Sequence, residues 1–198
     1  MLFNKPWFYN RTFIEENAKN IAGNVIDIGC ASSKYKNEIL KINKVRSYTG
    51  LDLIKNPAVD IVADLNGKLP IKNNTFDTAI CISVLEHLLE PANALKEISR
   101  ILKPGSFLLI SAPWIYPYHL VPNDYYRYSS EALTYLLEKA GFSVVALTSS
   151  GGRARVVFVF LTKWFTLLNK FIPLIDHLFP KSNNDKDTPD HHVVARKN

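Results

Sequence analysis

The sequence predicts a doubly wound α/β fold with a parallel sheet covered by helices on both faces. Two observations predict it. Short β-branched runs alternate with helix-compatible stretches along the chain, the pattern of right-handed βαβ units. Successive runs also stop at a glycine or a carboxylate, as strands do when their ends face a ligand cleft. The 198 residues, 47% of them hydrophobic, suit one core and one domain.

The elements follow in order. Trp7, Phe8, Phe13 and Ile14 among polar residues predict an amphipathic helix ending near Gly23. Residues 24–29 form a first strand that stops at Gly29, and 34–42 a short helix. Residues 47–52 and 59–64 are strands that stop at Asp52 and Asp64. Residues 76–82 form the fourth strand. From Ser83 to Leu102 apolar residues recur at helical spacing, and Lys103-Pro104-Gly105 is expected to close that helix. Residues 106–112 are the fifth strand. Ser129-Ser130-Glu131 is an N-cap sequence for a helix to Ala140. Residues 141–147 and 192–196 supply the sixth and seventh strands.

Charge and cysteine content exclude several classes. Lysine and arginine number 24 against 18 acids, a mild excess of +6 with no long basic block, so nucleic acid is not expected as a partner. Cys30 and Cys81 are too few for a disulfide framework. The N-terminus lacks the apolar core of a signal peptide, and no window reaches the roughly 20 apolar residues of a spanning helix. The expectation is a cytoplasmic protein, with membrane association left open.

The strand ends carry Asp27-Ile-Gly29-Cys30-Ala-Ser-Ser33, then Asp52, Asp64 and Ser83. Asp52 follows Asp27 by 25 residues, where a carboxylate can accept from both hydroxyls of a ribose. A dinucleotide would want Gly-x-Gly-x-x-Gly for its pyrophosphate. This loop has one glycine of the three, which favours a nucleoside ligand without phosphates.

These residues resemble the class I S-adenosylmethionine (SAM)-dependent methyltransferases. Asp27-x-Gly29-x-Ala31-x-Ser33 stands where that family usually has acid-x-Gly-x-Gly-x-Gly, so two glycines are replaced. Acid-ended second and third strands, Phe76-Asp77, Val84-Leu-Glu86-His87-Leu88 and Leu102-Lys-Pro-Gly105 follow in the family's order. The resemblance covers roughly 20–148 and 190–198. It implies a Rossmann-like seven-stranded sheet whose last strand is antiparallel, with SAM as cofactor. It also implies that Asp27, Gly29 and Cys30 line the methionine end and that Asp52, with Leu53 beside it, holds the ribose. Asp64 and the Leu65 amide would face the adenine, and backbone around Ile82 and Ser83 the methionine amino group. Glu86 and His87 are read as first-turn capping or a satisfied buried histidine. No residue is assigned to a metal.

Beyond the fifth strand, residues 114–127 concentrate Trp114, Tyr116, Tyr118, His119, Asp124, Tyr125, Tyr126 and Arg127. A loop so aromatic on a rigid scaffold reads as a substrate-binding loop. Tyr116, Tyr118, Asp124, Tyr125 and Arg127 are candidates for acceptor contact. His119, with a pKa suited to taking a hydroxyl proton, is the candidate base. The competing reading has the tyrosines packing the loop down while Asp124 pairs with Arg127. The loop also resembles methyltransferases of polysaccharide and glycolipid biosynthesis, which implies a sugar or sugar–lipid hydroxyl as acceptor. A quinone or other lipid-like acceptor, and a non-catalytic binding domain, are the alternatives.

An apolar helical insertion at about 151–188 precedes the last strand. Between Val156 and Phe179, 16 of 24 residues are Val, Leu, Ile, Phe or Trp. The others recur every three to four positions as a polar stripe, with a kink expected at Pro173. Residues 154–180 are therefore expected to cap the cleft, pair two copies of the chain or touch a membrane surface.

Overall fold

The computed structural model describes residues 7–120, 122–164, 171, 174, 177, 178 and 186–198. Helix α1 (Trp7–Glu16) leads into β1 (Gly23–Ile28), α2 (Lys36–Leu40), β2 (Val45–Asp52) and β3 (Ile61–Val62). Then come β4 (Phe76–Ile82), α3 (Pro91–Ile101), β5 (Leu102–Pro113), α4 (Ser130–Lys139), β6 (Phe142–Ser149), α5 (Arg153–Trp164) and β7 (Asp190–Lys197). The seven strands form one sheet in the order β3-β2-β1-β4-β5-β7-β6. Pairs among β1 to β5 are parallel, while β7 runs antiparallel between β5 and β6.

Two cores explain why the strands are apolar on both sides. Ile26 and Ile28 of β1, Ala79 and Cys81 of β4, and Leu108 and Ile110 of β5 face Leu95 and Ile98 of α3 and Leu133 and Leu137 of α4. Alternate residues Val25, Ile80, Ile82 and Leu109 face Phe13 and Ile14 of α1 and Ile39 of α2. The period of two along each strand sends successive side chains into opposite layers. The chain reverses its direction of winding between β1 and β4, so a cleft must open beyond their carboxyl ends.

Three sequence expectations need correction. The helix expected over 83–102 is a short 3-10 turn at Leu85–His87 followed by α3, because Pro91 forces Glu90 out of helical geometry (φ −121°, ψ 62°). Lys103-Pro104-Gly105 does not close α3 but opens β5, where Lys103 donates to Asp77 Oδ1 at 2.7 Å. Pro104 is tolerated because Phe76 and Thr78 pair with Leu102 and Phe107, leaving the residues between them out of the ladder. The third strand shrinks from 59–64 to two residues, since the Asp60 carboxylate takes the Gly50 N–H (2.7 Å) that a ladder would use.

In α5, Arg155 and Val159 are buried, and Arg155 lies over the Tyr9 ring at 3.3 Å. Thr162, a member of the expected polar stripe, is also buried, while Val157, Phe160 and Leu161 are exposed. The outward face of this helix is apolar. The kink expected at Pro173 lies outside the described residues. Among the described residues no helix is long and apolar enough to cross a membrane.

Candidate active site

A cleft of about 950 Å³ opens beyond β1, β2 and β4, at the upper end of small-molecule sites. Asp27, Gly29, Cys30, Asp52, Leu53, Asp64, Leu65 and Ser83 all line it. The turn after β1 is tight. Gly29 has φ +71°, and a Cβ there would meet Val84 Cγ2 at 2.4 Å, so only glycine fits. Ala31 and Ser33 keep positive φ (46° and 53°) without being glycine. The loop thus retains the left-handed course of a glycine-rich turn at a strain cost of about 1 kcal/mol per residue.

Asp52 ties this loop to the next. Its Oδ2 accepts from Ala31 N at 2.8 Å and its Oδ1 from Ile54 N at 3.1 Å. Asp64 accepts from the Asn66 backbone N–H (2.8 Å) and its side-chain amide (3.0 Å). The Asn66 carbonyl oxygen in turn accepts from Leu89 N and Glu90 N, bracing one wall. The Ser83 N–H donates to Ser111 O and Oγ, both at 3.1 Å. The Cys30 thiol lies 3.9 Å from Ala58 O, and burial pushes its pKa up to about 11, so it lines the cleft without nucleophilic character.

The aromatic loop is built around an ion pair. Asp124, its side chain fully enclosed, receives both arms of the Arg127 fork, one at 2.7 Å, and the His119 N–H at 2.8 Å. Arg127 Nε donates to Tyr116 O. Tyr128 OH donates to Leu85 O, and the Tyr125 N–H to Glu86 O at 2.8 Å. Tyr116, His119 and Tyr125 line the cleft; Tyr118, Asp124 and Arg127 do not. The structure therefore gives Asp124 and Arg127 the work of shaping the loop, as the competing reading of the sequence has it.

Glu86, His87 and Asp190 also line the cleft. Glu86 is 1% exposed, and neither carboxylate oxygen has a hydrogen-bond partner. Burial pushes its pKa up to about 8. Burial likewise lifts Asp27 and Asp190 to about 6 each, against the hydrogen bonds they accept from Tyr48 OH (2.6 Å) and Ser150 Oγ (3.2 Å). Burial also holds the His119 imidazole below the ordinary histidine value. In a chain of net charge +6, this cleft gathers three desolvated carboxylates, which suits a cationic ligand. The reading of Glu86 and His87 as capping groups missed this, because burial of a side chain in a 3-10 turn leaves no periodic signal.

The family model described as "Methyltransferase domain" matches residues 26–110. A SAM-dependent methyltransferase of solved structure from Archaeoglobus fulgidus superposes with a TM-score of 0.66 at 16% identity, covering 98% of this chain and 96% of that one. Residues 26–110 thus resemble a methyltransferase domain, and the chain shares the fold of SAM-dependent methyltransferases of solved structure. Cycloartenol-C-24-methyltransferase 1 of Oryza sativa subsp. japonica is 30% identical over 115 residues, half of this chain and 33% of that protein. The O-methyltransferase resE of Aspergillus sclerotiorum is 28% identical over 165 residues, 70% of this chain and 62% of that protein. The chain thus spans about a third of the plant relative's length and under two thirds of the fungal one's.

The residues of the cleft fit SAM. Asp27 is a buried, underpaired carboxylate suited to an ammonium or sulfonium ligand, Gly29 leaves the backbone bare, and Asp52 offers two oxygens at the end of β2.

Proposed function

We propose that this methyltransferase methylates a sugar or sugar–lipid hydroxyl held beneath the loop 113–128. Bound SAM supplies a methyl group already activated by its sulfonium. Asp27 and Asp52 hold the donor at the strand ends. Tyr116 and Tyr125 supply the faces against which a sugar ring stacks. On transfer of that methyl to the acceptor oxygen, His119 would take the hydroxyl proton.

The observation that carries this reading is the orientation of His119. Its Nδ1 faces Pro117 O at 3.3 Å. A carbonyl only accepts, so Nδ1 carries the proton and Nε2 presents a lone pair beside Glu86 in the cleft. The likeness to the fungal O-methyltransferase supports an oxygen acceptor. The exposed Val157, Phe160 and Leu161 of α5 support a lipid-linked one.

Transfer of labelled methyl from SAM to a panel of sugars, glycolipids and quinones tests it. The expected result is turnover on a sugar hydroxyl, reduced roughly 10²- to 10⁴-fold in kcat by His119→Ala with SAM affinity unchanged. Normal turnover in that variant removes His119 as proton acceptor, and turnover on quinones alone moves the acceptor to that class.

A further inference from the structure

Glu86, His87 and His119 bring one carboxylate oxygen and two imidazole nitrogens together on the cleft wall. All three ligating atoms lie within 4.8 Å of one another. Glu86 Oε1 is 3.8 Å from His87 Nε2 and 3.9 Å from His119 Nε2. Both imidazoles are held in the same tautomer. His87 Nδ1 donates to Asn123 O and His119 Nδ1 to Pro117 O, so each Nε2 is an unprotonated donor aimed at Glu86. Outer carbonyls that fix Nδ1 and leave Nε2 free are the support that metal-binding histidines need. The independent sign is Glu86 itself, a 1% exposed side chain with both oxygens unpartnered. A buried carboxylate left in that state is costly unless something completes it.

We propose that Glu86 Oε1, His87 Nε2 and His119 Nε2 form a site for a first-row divalent transition cation. Two imidazoles and one carboxylate suit Zn²⁺, Co²⁺, Mn²⁺ or Fe²⁺ over Mg²⁺ or Ca²⁺, which prefer all-oxygen shells. Ligands at about 2.1 Å from such an ion stand roughly 3.0–3.6 Å apart, so small side-chain rotations close the site. The two flanking anchors differ in stiffness: His87 and Glu86 belong to one turn, whereas His119 rides on the loop locked by Asp124 and Arg127.

Three protein ligands leave a coordination position open, and all three residues line the cleft. That position faces where the acceptor is proposed to sit, and on this point the inference rests on the proposed function. A hydroxyl bound there becomes acidic enough to lose its proton to solvent near neutral pH. With the cation bound, His119 serves as a ligand and solvent takes the proton in its place, so its removal still lowers turnover.

Titration of the chelator-stripped protein with CoCl2, followed by visible d–d absorption, tests the site without any turnover. The expected result is one equivalent of Co²⁺ in a low-symmetry site, displaced by ZnCl2. Glu86→Gln and His119→Asn should each weaken binding at least roughly tenfold, the loss that even outer-shell changes produce at such sites. His177→Ala, at an exposed histidine outside the cluster, should bind as the parent does. SAM titration of the same samples shows that the variants are folded. No cobalt signal alongside normal SAM binding overturns the cation site and leaves the methyltransferase reading standing. Cobalt binding equally lost in His177→Ala, or unaffected by Glu86→Gln and His119→Asn, also overturns it. Stoichiometric cobalt without SAM binding supports the site and contradicts the cofactor assignment instead.

Discussion

Replacing Asp27 with asparagine raises the melting temperature of the ligand-free protein while it weakens SAM binding. Asp27 is 3% exposed, and burial lifts its pKa from 3.8 to about 6, with Asp52 adding to the rise and the Tyr48 hydroxyl opposing it. A carboxylate with a raised folded-state pKa binds more protons folded than unfolded. Its favourable contribution is therefore full below about pH 4 and is lost as pH rises through 6. At pH 7 the ionised group costs roughly 3 kcal/mol. Asparagine removes the charge, and its oxygen still accepts from Tyr48. For a chain of this size the gain is roughly 6–12 °C at pH 7 and vanishes below pH 4. The same substitution removes the anion that meets the cationic end of the cofactor, a loss of roughly 10- to 100-fold in affinity. Thermal melting at pH 4 and 7 with and without SAM checks both arms. A variant that melts lower at pH 7, or that binds SAM as the parent does, contradicts the assignment.

Asp124→Ala acts in the opposite sense. Asp124 is enclosed, Arg127 is its fork partner, and the His119 N–H is its third donor. Those contacts hold its carboxyl at about 2, with the Arg127 hydrogen bonds as the main cause. A depressed pKa gives stability that is present above the ordinary value near 3.8 and lost as pH falls through 2. Alanine leaves the Arg127 guanidinium half-buried without its partner and frees the stretch that carries His119. The expected loss is about 2–4 kcal/mol of stability at neutral pH, and a larger fall in kcat than in SAM affinity. Denaturant unfolding at pH 7 measures the first and methyl-transfer kinetics the second. Unchanged stability would show that the fork is a surface pair, and an equal fall in SAM affinity would place the loop on the cofactor side.

The fold and the strand-end wall of the cleft were legible because both are written locally. Strand ends at Gly29, Asp52 and Asp64 sit at fixed places in the repeating βα pattern, and each lines the cleft. The antiparallel β7 came from the family resemblance, since spacing alone carries no pairing partner, and the strand order emerged only with the structure. The acceptor side was less legible. Glu86 meets His119 across 33 residues of sequence, and only the course of the aromatic loop over the Leu85–His87 turn makes them neighbours. Asp124 and Arg127 have the composition of a binding pair, and only geometry shows each facing the other. The break at Pro91 was readable in principle, because a residue before proline resists helical geometry, but the apolar periodicity across it masked the signal. Asp190 escaped notice for the same reason as Glu86: its partners Ser150 and Arg155 stand at the opposite end of the insertion, 35 or more positions away in sequence.

The cleft beyond β1, β2 and β4 is assigned as a SAM site on its lining residues. Calorimetric titration of the protein with SAM, repeated on Asp52→Ala, tests it most directly. The expected result is saturable one-site binding in the parent, weakened roughly 10- to 100-fold in the variant, which loses its ribose acceptor and the brace on the Ala31 amide. No heat and no thermal shift in the parent, or undiminished affinity in the variant, would contradict it.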